Sequence, residues 1–238
     1  MFHVQWSMSP SMSSNNRLLT ALPEIVYRRL EPYFTFVSLP VGEICYEALE
    51  KIDTVYFPNT ALISLVSTLS DGFTSEISLV GSTGMIGLPV ILGSGYSQHR
   101  AFIQVSGSIV KISASILKNE FDTGGELQKL LLAYVEDRLN EVAQLSICNR
   151  HHNIEERMAR WLLMVQDFVQ SDELPLTQEF IGQMLGVNRP GVTLTAGAFQ
   201  RSGLIRYTRG KISILNRNAL EDVACECYQL FHKHFYQQ

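Results

Sequence analysis

Between Gly186 and Arg217 the chain carries six basic side chains, Arg189, Arg201, Arg206, Arg209, Lys211 and Arg217, and no acidic one. The whole chain of 238 residues has a formal charge of −4. A positive island cleared of carboxylates inside an acidic protein is suited to lying along a phosphate backbone. A second group, Cys148, His151 and His152, has the i, i+3, i+4 spacing that gathers metal ligands on one helical face. That segment reads as a hinge with no fourth ligand nearby, so no metal is expected. Cys225-Glu-Cys227 is too closely spaced for a redox Cys-x-x-Cys pair, and packing is its expected role. No Ser/His/Asp set, paired carboxylates or phosphate-cradling glycine loop emerges, and the chain does not read as an enzyme.

The basic island needs elements to hold it. Thr177 is suited to cap a helix whose apolar residues are Ile181, Met184 and Leu185, and Gly186 supplies the left-handed residue that ends it. A second helix is expected at once, from about Arg189 to Ser202, with Pro190 in the first turn and Gly203 at its end. On its wheel Val192, Thr195, Ala196 and Phe199 share a packing face. Pro190, Thr193, Leu194, Gly197 and Arg201 point the other way. Leu204–Tyr207 and Ile212–Leu215 then alternate about a glycine turn with a basic tip, which predicts a hairpin. Helix–turn–helix plus hairpin is a winged helix.

Charge divides the chain. Residues 1–148 hold nine Lys/Arg against fourteen Asp/Glu, and residues 149–238 hold ten against nine. Only the second part is expected to touch nucleic acid. With 46% hydrophobic residues the chain can bury a full core, and no apolar run is long enough to span a membrane. The first sixteen residues lack the charged and apolar regions of a signal peptide, and four cysteines fit reduced thiols, so the expected location is the cytoplasm.

From Phe34 to Leu117 short β-rich runs alternate with glycine turns, Asp71-Gly72 among them, which predicts an antiparallel barrel or jelly roll. From about Glu126 to Ser146 the period changes. Leu127, Leu131, Val135, Leu139, Val142 and Leu145 recur at helical spacing, as on a long helix that either packs on the barrel or forms a parallel dimer seam. The favoured seam is Leu131, Val135, Leu139 and Val142. After a break at Asn149–Asn153, Asn153 and Glu156 make the start of another helix. The expected architecture is α+β: a flexible tail over 1–20, a barrel over 21–122, a dimerisation helix over 123–148 and a winged helix over 149–238.

In order and in motif the sequence resembles the Crp/Fnr transcription regulators over nearly its full length. The motifs are Leu39-Pro-Val-Gly42, Val80-Gly-Ser-Thr-Gly-Met-Ile-Gly87, Ile154-Glu-Glu-Arg-Met-Ala-Arg-Trp-Leu162 behind Asn149-Arg150, and Leu176-Thr-Gln-Glu-Phe-Ile-Gly-Gln-Met-Leu-Gly-Val187 running on to Gly203-Leu-Ile205. The resemblance implies a DNA-binding homodimer on a palindromic site, with RNA polymerase as a further partner. DNA contacts would come from Thr177, Gln178, Asn188, Arg189, Pro190, Thr193 and Arg201, and from Arg209 and Lys211 at the wing. Arg189 matches a family arginine that bonds a guanine edge. Pro190 and Leu194 replace the usual Glu and second Arg, so a different operator is expected.

Relatives that bind cyclic AMP use a Gly-Glu pair followed by an Arg-Ser/Thr or Arg-Ala pair. Here the first element reads Gly84-Met85-Ile86-Gly87 and the second Arg100-Ala101. Methionine cannot accept from the ribose hydroxyl, a loss of about 1–3 kcal/mol if that group is buried. Cyclic AMP is therefore not the expected effector. The expectation is an anion near Arg100, or cyclic di-GMP held by arginines outside the old cassette, such as Arg138. No N-terminal cysteine cluster or Cys/His pair at the barrel–helix junction suggests iron–sulfur or haem. Two other readings stay open. One is a small-molecule-binding module whose winged helix makes protein contacts. The other is a cupin-like enzyme, for which His99, the one histidine between Phe34 and Leu117, gives too few ligands.

Overall fold

The computed structural model describes residues 14–236, with side chains through Phe231. Residues 1–13, most of the expected tail, lie outside that range. The rest of the tail is anchored. Asn16 is fully buried, caps α1 (Arg17–Thr20) and donates from its side chain to the carbonyls of Pro58 and Gly84, both at 2.8 Å. An amide with all its groups bonded inside a barrel wall is costly to release, so the chain is fixed from here on. Helix α2 (Glu24–Leu30) follows.

Seven strands build the next unit: β1 (Thr35–Leu39), β2 (Ile44–Tyr46), β3 (Thr54–Pro58), β4 (Leu62–Thr68), β5 (Thr74–Val80), β6 (Arg100–Val105) and β7 (Gly107–Ser113), with the short helix α3 (Leu88–Leu92) between β5 and β6. They pair antiparallel in two sheets, ordered β1-β7-β3 and β2-β6-β4-β5. Both sheets turn apolar side chains onto one core, with Val55 and Phe57 of β3 meeting Ile63 of β4 and Ile103 of β6. The run at Ile44–Tyr46, absent from the sequence reading, is the extra edge strand.

Helix α4 (Ala114–Asp122) leads into α5 (Glu126–His151). Its 26 residues make it about 39 Å long at 1.5 Å per residue. The expected break at Asn149 is absent: Asn149 and Arg150 are helical, and only His152 and Asn153 separate α5 from α6 (Ile154–Val169). The cap of α6 is reciprocal. Asn153 Oδ1 accepts from the Glu156 amide, and the Glu156 carboxylate accepts from the Asn153 amide.

The C-terminal unit continues with β8 (Glu173–Leu174), α7 (Gln178–Leu185), α8 (Arg189–Arg201), the hairpin β9 (Ile205–Thr208) and β10 (Lys211–Ile214), then α9 (Arg217–Val223) and α10 (Cys227–Tyr236). Strand β8 adds to the hairpin to give the order β8-β10-β9. This unit does not float free. Leu62, Val66 and Leu79 of the barrel belong to its apolar core, together with Trp161, Met184 and Phe199. Among the described residues no helix is long and apolar enough to cross a membrane.

Candidate nucleic-acid interface and barrel cavity

Helix α7 ends where Gly186 takes φ +62°, a conformation that costs a residue with a Cβ about 1–2 kcal/mol. Asn188 then caps α8, its Oδ1 accepting from the Gly191 amide at 3.0 Å. Val192, Thr195, Ala196 and Phe199 are buried, and Arg189, Pro190, Thr193, Leu194 and Arg201 are exposed. Thr193 Oγ1 donates to Gln178 Oε1 at 2.8 Å, which ties the outer face of α8 to the start of α7. Thr177 caps α7 by accepting from the Phe180 amide and lines a cleft against the barrel.

The wing turn is Arg209-Gly210, with Gly210 at φ +78°. Arg209 is exposed, whereas Lys211 is held by Glu173 of β8 at 2.6 Å. Arg217 leaves the basic island altogether. It pairs with Asp167 and Glu221, each at 2.8 Å, and so fastens α9 to α6. The outward cations are therefore Arg189, Arg201, Arg206 and Arg209.

Between the barrel and α5 lies an open cavity of about 220 Å³ whose lining is mostly apolar, including Met85, Ile86, Leu65 and Val80. Its polar groups are Ser78, Ser97, His99, Tyr134 and Arg138. Burial pushes the His99 imidazole below its ordinary pKa, and among the described residues its Nδ1 meets no hydrogen-bond partner. Arg138 lies 5.1 Å from the centre of the Tyr134 ring and pairs with Glu141 at 2.5 Å. The Tyr134 hydroxyl bonds both the amide and the carbonyl of Met85, at 3.1 and 3.0 Å. Gly84 leaves room for it: a Cβ there would collide with that hydroxyl.

Arg100 is not in this cavity. Alternation along β6 turns Ala101 and Ile103 into the core and Arg100 and Phe102 outward. Arg100 pairs with Glu47 at 2.7 Å and lines a cleft of about 520 Å³ between the barrel and α7. Arg100 therefore faces this cleft, and the residues expected around one effector are divided between the cleft and the cavity. Met85 and Ile86 do line the cavity and Ala101 is packed in the core.

The seam also needs one correction. Leu131 is 1% exposed and packs into the barrel core, with Val135 half-buried against it. Leu132, Leu139 and Val142 are 48%, 66% and 48% exposed. The outward stripe is therefore Leu132, Val135, Leu139 and Val142, one residue out of register with the expected start.

Two polar sites lie away from the expected ones; the first had no signal in the sequence, and the second was signalled only in part, by the spacing of Cys148 and His152. At the junction of the two units, Glu76 of β5 accepts from Trp161 Nε1 at 2.8 Å and from Ser64 Oγ at 2.9 Å. Burial raises its pKa from the ordinary 4.5 to about 7, and Glu141 adds to this while those two donors and Arg160 oppose it. The other site corrects the expectation of no fourth metal ligand. Cys225 and Cys227 fold back beside Cys148 and His152, and the four donor atoms lie within 4.8 Å of one another. The hydrogen bond with Cys225 draws the Cys148 thiol below its ordinary pKa. His151, the third residue of the expected triad, is exposed and outside the group.

Residues 156–223 match the family model of the Crp-like helix-turn-helix domain. None of the curated proteins compared matches the chain significantly. Among solved structures, a protein from Eubacterium rectale assigned to the Crp/Fnr family of transcriptional regulators superposes with a TM-score of 0.71 at 18% identity, over 87% of this chain and 97% of that one. FixK2 from Bradyrhizobium japonicum gives 0.67 at 20% identity, over 81% and 98%. The cyclic di-GMP-responsive global regulator CLP from Xanthomonas campestris gives 0.67 at 12% identity, over 80% and 98%. Residues 156–223 are a Crp-like helix-turn-helix domain, carried by a chain with the fold of the Crp/Fnr transcription regulators.

Proposed function

We propose that the protein is a dimeric, sequence-specific DNA-binding transcription regulator whose barrel senses a small effector other than cyclic AMP. One observation carries the DNA reading. The helix that follows the turn buries Val192, Thr195, Ala196 and Phe199 and leaves Arg189, Pro190, Thr193 and Leu194 outward, with Arg209 at the tip of the wing. Such a face fits a major groove, with Arg189 placed to fork onto a guanine edge and Leu194 to meet a thymine methyl. Arg189→Ala is expected to weaken binding to the selected operator by about 1–3 kcal/mol while leaving binding to random duplex nearly unchanged. Fluorescence anisotropy with both duplexes checks this. Equal losses on the two would make Arg189 a phosphate contact.

The wing contributes affinity without sequence. Arg209→Ala should reduce the slope of log K against log salt by about one unit. Lys211→Ala should reduce it by less, because Glu173 already neutralises that ammonium.

For the effector, Met85 lines the cavity where a ribose acceptor would be needed, and Arg100 is turned away from it. The cavity of about 220 Å³ lies below the range of roughly 300–1,000 Å³ usual for ligand pockets. Cyclic di-GMP would therefore bind on the surface where the barrel meets the long helix, and a molecule inside the cavity would be small and would use His99 or Arg138. Calorimetry with cyclic AMP, cyclic GMP and cyclic di-GMP tests this. Micromolar cyclic AMP binding that disappears in Arg100→Ala would refute it.

A further inference from the structure

Three thiols and an imidazole converge at the joint between the long helix and the winged helix. Cys148 comes from the last turn of α5 and His152 from its C-cap; Cys225 and Cys227 come from the segment that enters α10. The three cysteines are buried, and the His152 ring is almost so. Cys148 Sγ lies 3.6 Å from Cys225 Sγ, and Cys227 Sγ lies 3.7 Å from His152 Nδ1. A tetrahedral cation with bonds of about 2.3 Å to sulfur and about 2.0 Å to nitrogen sets its ligand atoms about 3.4–3.8 Å apart. Both of these separations are those of a tetrahedron around one ion, and the four donor atoms all lie within 4.8 Å of one another.

The surroundings complete the case. His152 Nε2 faces the Glu226 carboxylate at 3.1 Å, which turns Nδ1 to the sulfurs, as in the carboxylate–histidine–metal arrangement. Gln144 Nε2 donates to Cys227 Sγ at 3.1 Å, a bond suited to a thiolate. Three thiolates around a divalent ion leave one net negative charge, and the buried guanidinium of Arg160 acts electrostatically on Cys148 and Cys225.

We propose that Cys148, His152, Cys225 and Cys227 form a structural zinc site that clamps the C-terminal end of the long helix to α10. Soft sulfur donors in a closed set of four select zinc over hard cations and leave no open position for catalysis. The ligands are deprotonated as the ion enters, so uptake releases thiol protons to solvent.

Full-length protein purified under reducing conditions without chelator should carry about one zinc per chain by native mass spectrometry and elemental analysis. Cys45→Ser, which alters the barrel cysteine outside the group, should keep the metal, and Cys225→Ser/Cys227→Ser should lose it. Because the double variant can fail to fold, the wild type is also reconstituted with cobalt(II). Sulfur-to-cobalt charge transfer and the strong visible bands of tetrahedral cobalt are expected, and both should vanish on adding zinc. Chelation should lower the melting temperature of the wild type by several degrees and leave a folded double variant unaffected. The site is refuted if the reduced wild type holds no metal and gives no tetrahedral cobalt spectrum. It is also refuted if a folded double variant retains its zinc, or if the freshly purified chain carries a Cys148–Cys225 disulfide.

Discussion

If the proposed dimer forms through α5, replacing Leu139 and Val142 with aspartate should leave a folded monomer with weakened binding to a two-fold operator. Leu132, Val135, Leu139 and Val142 recur at three and four residues along α5, the spacing of a two-stranded seam. Leu139 and Val142 are 66% and 48% exposed within one chain, so the substitution leaves the subunit's own core intact. In a parallel pair each aspartate would face its twin across the seam. Burying unpaired carboxylates there costs several kcal/mol, more than the association of one helix pair can offset. Losing half of the base contacts with the partner should lower operator affinity by at least about a hundredfold. Sedimentation velocity and anisotropy together decide the matter. A variant that stays dimeric at micromolar concentration would place the interface elsewhere.

Glu76→Gln should make the protein more stable above pH 7 and less sensitive to pH below it. The Glu76 carboxyl titrates at about 7 in the folded chain against an ordinary 4.5, chiefly because it is buried between β5 and α6. A raised carboxyl pKa favours folding when the group is protonated. Its contribution is therefore fully present below about pH 4.5 and is lost as pH rises towards 7. The whole span is worth about 3 kcal/mol. Glutamine keeps a carbonyl oxygen for Trp161, can donate from its amide to Ser64 Oγ and never ionises, so the difference between variant and wild type isolates this one group from Arg160 and Glu141 nearby. Urea unfolding at pH 5, 6, 7 and 8 should give stabilities that differ by under about 1 kcal/mol at pH 5 and by about 3 kcal/mol at pH 8. Curves that stay parallel throughout would show that Glu76 is not charged at a cost in the native protein.

The parts of the molecule governed by local periodicity could be read from the sequence. The inward face of α8 is Val192, Thr195, Ala196 and Phe199 because a period of 3.6 residues leaves little choice. The Asn153–Glu156 capping box is equally local. Where two patterns overlapped, the reading slipped. Leu131 and Leu132 are adjacent leucines on α5, and only the barrel's position determines that the first turns inward. The strand at Ile44–Tyr46 was missed because three residues carry almost no alternation. A motif could not say which way Arg100 turns; the two-residue alternation set by Ala101 and Ile103 does. The thiol cluster lay beyond any local rule, since Cys148 and Cys225 are 77 residues apart and meet through the packing of α10 on α5 and α6.

Only His152 and Asn153 connect α5 to α6. With two soft dihedrals per residue, the covalent joint between the barrel's helix and the helix-turn-helix unit has about four torsional degrees of freedom. The Asn153 ψ of 173° is set by its cap and the His152 ψ of 142° by the helix it ends, so several of those torsions are already occupied. Kinematically this is a stiff universal joint rather than a tether. Rotations of α8 about the α5 axis are therefore confined to a narrow family of paths.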